Sequence, residues 1–516
     1  MPRKRCKMPN NNKVTIQDLP DEMLEKILFL LELEDRKSAL CVCQRWSVLK
    51  PFDWSLVQLV VDFGRNAGKE ADYHQTLLAC NRRYKHLVFY FGYDFEKYDL
   101  FVDILSHFSR SVETLKLMPN TFVPVRLKFF SKIAAMCSNL KHLHIDACNF
   151  DYSRNGLEFA PMNNLEELYL ENNLLSLIPN MQEITPNITR LHMQISYYSE
   201  ESRNFLRHFS SRLLELEIWF LSEDYFLTVC TMHFPMLKKL NFYCVDLDVE
   251  YAEANGEMEP IYEFFRRLPG LKEVTLRCNL VDRVVRSLCQ SCRNMEFLCL
   301  GMDAFGEQSF RAICHLEHLK RLRIEEASIT APIEFNCPQL KSLQVLSLYS
   351  CRIDDQAEFN QFLLYAFPSL AVLEMLHLSS RISQGRTFEL HGNICNNMSS
   401  LQRLVLSEPA ANIQLGPFLE FCASRGPREL RLKCWNVLDM FPLEEPLSIP
   451  VQTLILDAPL ISPMVLQSMI KSMGELSRLE LALADYCSPE VIRNLRARFP
   501  RCEVIARRRV QIEEPL

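Results

Sequence analysis

Glycine is scarce in this chain, 13 residues in 516. Loops that wrap a phosphate in bare backbone need glycine, and no Gly-x-x-x-x-Gly-Lys-Ser/Thr or Gly-x-Gly-x-x-Gly run occurs. Gly-x-Ser-x-Gly and His-Glu-x-x-His are also missing, which removes the familiar hydrolase elbow and the helical zinc site. No apolar run reaches the 18 or so residues that span a bilayer. The best cluster, Ile27 to Leu33, is short and broken by Glu32. The basic start, Met1 to Lys7, lacks the apolar stretch of a secretory signal. Excess positive charge is lacking too. The formal net charge is −6, so nothing calls for nucleic acid as a bulk partner. These absences point to a soluble cytoplasmic or nuclear protein with no membrane or nucleic-acid partner.

Twenty cysteines are present, but they are spread singly and do not resemble a disulfide framework. Cys289-Gln290-Ser291-Cys292 is the one C-x-x-C, and no second pair follows at zinc-site distance. It reads as small apolar packing. His142 and His144 lie two apart on an expected strand with no third ligand suggested. No metal, no cofactor and no catalytic residue are expected. Asn187 and Asn397 open glycosylation-type triplets that read as incidental without a secretory signal.

What the chain has in abundance is Leu-x-x-Leu-x-Leu. Units begin at Leu56, Tyr84, Val112, Leu140, Leu165, Ile188, Leu213, Leu237, Leu271, Met295, Leu319, Leu343, Leu370, Leu401, Pro427, Val451 and Leu476, with a degenerate eighteenth near residues 501–506. The period of 20–29 residues, with two longer units, is that of a leucine-rich repeat. The fourth position of the seventeen units is leucine sixteen times and valine once. Alternation of apolar and polar residues around it predicts a short strand with one buried face. Segments such as Phe129–Cys137, Ile261–Leu268, Val284–Cys292 and Val465–Met473 carry helical spacing. A single unit has no opposing layer for its leucines, so units must stack. The expected fold is α/β: a short all-helical segment, then a curved solenoid with parallel strands on the concave face and helices on the convex face. Cys or Asn after the strand (Cys148, Asn173, Cys244, Cys278, Cys351, Cys434) is expected to turn inward at the bend.

Residues 14–50 break the repeat. Pro20 suits a helix start, and Asp21 and Glu22 meet its positive end. Leu24, Ile27, Leu28 and Leu31 form one apolar stripe; Ala39, Val42, Cys43 and Trp46 form a second. Two or three helices of this length have too little core to stand alone. The run Leu19-Pro20-x-Glu22-x-Leu24-x-x-Ile27-Leu28, then Asp35, then Val42-Cys43-x-x-Trp46, resembles an F-box. Followed by the repeats, it resembles the F-box/leucine-rich-repeat proteins, substrate receptors of SCF-type cullin-RING ubiquitin ligases. The resemblance implies a non-catalytic receptor that docks on a Skp-type adaptor and binds a protein target for ubiquitination and proteasomal degradation. The alternative is a repeat scaffold or inhibitor with the helical segment only a cap.

The resemblance implies that Leu19, Pro20, Glu22, Leu24, Ile27, Leu28, Leu31, Val42 and Trp46 meet the adaptor or support that face, and that Val42, Cys43 and Trp46 also pack the helices together. Target contact is expected on outward strand positions rich in hot-spot residue types: Tyr169, Trp219, Tyr243, Arg277, Phe297, Arg321, Arg323 and Tyr349. The acidic run Asp246–Pro260 lies beside them in sequence and reads as a solvated insertion. The resulting division is a basic disordered tail (1–13), F-box (14–50), solenoid (51–506) and C-terminal tail (507–516).

Overall fold

A computed structural model describes residues 16, 19–31, 33–48, 58–63, 70–80, 82–91, 98–119, 124–146, 149–151, 160–170, 182–195, 200–220, 223–244, 258–278, 280–329, 339–353, 356–377, 379–380, 387–388, 400–414, 427–438, 449–458, 460–483 and 489–508. The chain divides into two compact units. The first holds residues 1–170 and 180–187, the second 171–179 and 188–516.

The first unit opens with three helices: α1 (Asp21–Phe29), α2 (Leu33–Leu40) and α3 (Gln44–Val48). Leu24, Leu28 and Ala39 form their core, with Leu19, Leu31 and Trp46 packed against it. Five parallel strands follow: Gln58–Asp62, His86–Phe91, Thr114–Pro119, His142–Ile145 and Glu167–Leu170. Phe89 and Phe91 from one strand meet Phe101 of helix Tyr98–Phe108 edge-on, at 4.7 and 5.4 Å between ring centres.

The second unit is a longer stack of parallel strands, running from Arg190–Ile195 to Glu503–Arg508. Register follows the sequence repeat without a slip at the fourth position. Leu216 faces Leu240, which faces Val274, then Leu298, Leu322, Leu346, Leu373, Leu404, Leu430, Leu454, Leu479 and Val504. All of these are buried. A slip of one residue would turn every such leucine to solvent, at roughly 1.5–3 kcal/mol each, so the pattern dictates the pairing. Helices cover the leucine face: Phe242 of strand Lys239–Cys244 stacks on Phe264 of helix Glu259–Arg266 at 5.8 Å.

The bends show two features that the periodicity does not. Glu326, Ser350 and His377 each follow a strand with φ of 59, 52 and 54°. This left-handed turn lets the Glu326 N–H donate to Tyr349 O, that of Ser350 to Leu376 O, and that of His377 to Ser407 O, at 2.7–2.8 Å. The gain of one bond per repeat sustains a conformation that non-glycine residues resist. Beyond the bends, Ala304–Phe305, Ser328–Ile329, Arg352–Ile353 and Ser379–Ser380 pair into a second, minor parallel sheet. Cys351 turns inward as expected, its thiol donating to Ile324 O at 3.3 Å. Cys244, Cys278 and Cys434 are buried, whereas Cys148 and Asn173 lie outside the described residues.

Two expectations need correction. Val42 does not pack the helices together: α2 ends at Leu40, residues 41 and 42 form a turn, and Val42 is 65% exposed. The solenoid does not end at residue 506, since Arg507 and Arg508 continue the last strand opposite Ala482 and Leu483. Their partner strand extends that far, so the ladder does too.

Candidate functional site

Helix α1 carries two apolar stripes. Leu24 and Leu28 are 0% and 2% exposed and belong to the helices' own core. The resemblance gives them as residues that meet an adaptor or support that face, and their burial puts them behind the exposed side of the helix. Met23 and Leu30, seven residues apart and so nearly superimposed on the helix, are 48% and 84% exposed. Neither stood out in the sequence, because the Leu-rich stripe absorbs the periodicity. Ile27 lies half-buried beside them, Leu19, Leu31 and Trp46 are half-buried, and Pro20 and Glu22 are exposed. The helices are pinned by two arginines also missed. Arg45 bonds Asp21 at 2.6 Å and Leu19 O at 2.6 Å. Arg36 bonds Leu31 O at 2.6 Å, and its guanidinium lies 4.9 Å from the Phe29 ring centre.

On the outward strand face of the second unit, seven of the eight expected target residues come together as two rows. The first runs along the seventh position of successive repeats. Trp219 and Tyr243 stack at 4.1 Å and 10°. Arg277 lies over the far face of that stack, 5.0 Å from the Tyr243 centre. Arg277 then reaches across two strands to Glu325, with Nη2 donating to Oε1 at 2.7 Å. Glu325 also holds Arg323 at 2.5 Å, and Arg323 lies 5.3 Å from the Tyr349 ring centre. The second row is Phe297 with Arg321 above it at 4.9 Å and Glu273 at 3.5 Å from Arg321. The eighth residue, Tyr169, belongs to the first unit, where it stacks on His144 at 3.9 Å.

The arginine bridge depends on Gly301. It occupies the seventh position between Arg277 and Glu325. A Cβ there would come within 3.0 Å of Arg277 Cα and 3.6 Å of its Cγ. Gly301→Ala is therefore expected to push Arg277 off its path and cost about 1 kcal/mol of stability, measured by urea unfolding. An unchanged midpoint would show that the bridge tolerates a methyl group.

Glu217 sits under Trp219. It accepts hydrogen bonds from Trp219 Nε1 at 3.1 Å and Asn241 Nδ2 at 3.0 Å, and His192 Nδ1 lies 3.3 Å away. Burial would raise its carboxyl, but the bonds from His192, Asn241 and Trp219 outweigh that and hold it down at about 2. A depressed carboxyl adds stability that is complete above its ordinary value of 4.5 and is lost as pH falls toward 2. Glu217→Gln should thus be less stable than the parent at pH 7, with the gap closing between pH 4.5 and 2. Urea midpoints at pH 7, 4.5 and 3 would check this; a constant gap would contradict it.

No group of three or more His, Cys, Asp or Glu among the described residues could hold a metal ion. Cys289 and Cys292 are fully buried, and burial pushes the Cys292 thiol up to about 12. Its Sγ–H donates to Leu268 O at 3.3 Å, a packing role. His142 lies 3.0 Å from Glu167. Asn187 donates to Asn163 O at 2.9 Å, continuing the bonds of Asn164 to Ser138 O and Asn139 to Arg110 O. Asn397 and most of the acidic run 246–260 fall outside the described residues. No helix among the described residues is long and apolar enough to cross a membrane.

Residues 16–49 match the family model of the F-box domain. No curated protein matches the chain at a significant level. Solved structures that resemble it include an internalin from Listeria monocytogenes, 14% identical over 74% of this chain and 89% of that one, with a TM-score of 0.38. A leucine-rich-repeat protein from Leptospira interrogans is 16% identical over 78% and 91%, with a TM-score of 0.31. A TLR13–ssRNA13 complex is 14% identical over 82% and 70%, with a TM-score of 0.37. The chain carries an F-box domain at residues 16–49, and the repeated Leu-x-x-Leu-x-Leu strands that follow it stack in parallel.

Proposed function

We propose that this chain is the substrate-recognition subunit of an SCF-type E3 ubiquitin ligase. Its F-box domain docks on a Skp-type adaptor, and the outward strand face of its repeats holds a protein target. The chain needs no chemistry of its own for this. F-box and leucine-rich-repeat domains are typically interaction modules, and holding a target beside a reactive enzyme raises its effective concentration.

The observation that carries the reading is where apolar surface is left uncovered. Among the described residues, twelve large apolar side chains are exposed, and five of them (Ile16, Met23, Phe29, Leu30 and Val42) lie within the F-box match. Among its described residues Leu24, Leu28 and Ala39 form the core, Leu19, Leu31 and Trp46 pack against it, and these five stay outside. Such a surface fits a partner that dries it. Met23, Ile27 and Leu30, with Pro20, are the side chains that support direct contact; Leu24 and Leu28 hold their helix in place.

The test is calorimetric titration of the full chain, and of a chain lacking residues 1–50, with a Skp-type adaptor. Binding by the first and none by the second is expected. No heat from the full chain would overturn the ligase reading and favour the scaffold alternative.

A further inference from the structure

We propose that Trp219 is the seat for a cationic side chain, arginine or lysine, presented by the docking segment of the target. The proposal rests on the reading of the outward strand face as the target surface and specifies what that face recognises at one end.

Trp219 is 38% exposed, the most open of the large apolar groups on the rows described above. One indole face is taken by Tyr243 at 4.1 Å. Its N–H is taken by Glu217. What it has left to offer is π surface. A cation is drawn to such a surface by the ring quadrupole, most strongly on tryptophan. Donation of the indole N–H to an ionised carboxylate shifts electron density into the ring, which strengthens that attraction.

Glu217 differs from Glu325 in what surrounds it. Glu325 lies between two guanidiniums, so its charge is cancelled. Glu217 is held instead by an indole, an amide and the His192 imidazole, which lies 3.3 Å from it. The cations of this end stand in the third column, at Arg190 and Lys239. Lys239 lies between Glu215 and Glu273 at 4.0 and 3.9 Å. A half-buried carboxylate without the guanidinium pair that encloses Glu325 therefore lies beside the exposed indole.

The stack already shows this preference at its other end, where the Arg277 guanidinium covers Tyr243. A target arginine over Trp219 would repeat that arrangement, with Glu217 in the place that Glu325 takes for Arg277. An acidic or phosphorylated side chain would meet the field of Glu217 and be disfavoured.

Two measurements on the full chain bound to its adaptor test this. The first uses seven-residue Gly-Ser peptides with one central Arg, Lys or Glu, followed by the indole N–H resonance of Trp219, assigned from its loss in Trp219→Phe. The Arg and Lys peptides should shift it saturably, the Glu peptide should not, and Glu217→Gln should weaken the Arg peptide about threefold to tenfold. Equal shifts from all three peptides, or no loss in Glu217→Gln, would overturn the seat.

The second compares proteins captured by proximity labelling in cells, using chains that carry Leu30→Asp to prevent turnover. Loss of captured targets in both Trp219→Ala and Glu217→Gln is expected. Retention in both, with loss on joint replacement of Trp219, Arg321 and Tyr349, would sink the cation seat alone. Retention after the joint replacement would sink the target-surface reading itself.

Discussion

Met23→Asp with Leu30→Asp should lower affinity for the adaptor at least about 100-fold and leave the chain folded. Both side chains, on α1 and its C-terminal cap, are exposed and lie outside the core of Leu24, Leu28 and Ala39. Charges there cost little in the free chain. In a complex they would be buried without partners, and interface anchors of this size are worth about 2 kcal/mol or more each. Leu24→Ala is expected to behave differently. Leu24 is fully buried, and truncating a buried leucine costs about 2–5 kcal/mol, more than so small a core holds in reserve. It should abolish binding by melting the helices, seen as faster proteolysis of residues 16–49 in the full chain. Calorimetry with all three proteins separates the two mechanisms. Wild-type affinity in the double aspartate variant would remove Met23 and Leu30 from the interface.

The second large effect belongs to Glu325. Its side chain is 5% exposed and lies between Arg277 and Arg323, at 29% and 24%. Burial works against the charge on Arg277, and Glu325 more than offsets this, raising its pKa. Glu325→Ala would leave two half-buried cations facing each other without a counter-ion. Removal of one partner from a buried ionic group costs about 3–5 kcal/mol, so urea unfolding should show a loss of about 3 kcal/mol. Replacing Arg277, Arg323 and Glu325 together with methionine should recover most of that loss, because apolar groups of similar volume avoid the desolvation cost. Should Glu325→Ala unfold at the parent midpoint, the bridge would have no structural weight, and the two arginines would be free for a target.

The repeat was legible because its signal is redundant. Sixteen leucines at one position in seventeen units leave a single register open, and every pairing from Leu216 to Val504 follows it. The outward face was legible only as a set of residue types. Tyr243, Arg277 and Arg323 could be placed on one side of the sheet by alternation alone. That Arg277 passes over Gly301 to reach Glu325 could not, since the partners lie 48 residues apart and the path depends on a missing Cβ. Tyr169, at the fifth position and not the seventh, stacks on its fifth-position neighbour His144 in the first unit.

Sequence alone determined the stack of strands, the helical layer over the leucines and the position of the F-box, because burial of a periodic apolar set admits one solution. Tertiary packing decided which side of α1 is oily and open. Two apolar stripes, Leu24–Leu28–Leu31 and Met23–Ile27–Leu30, run along that helix side by side. The packing of Ala39 and Trp46 against the first, contacts from residues distant in the chain, leaves the second to solvent.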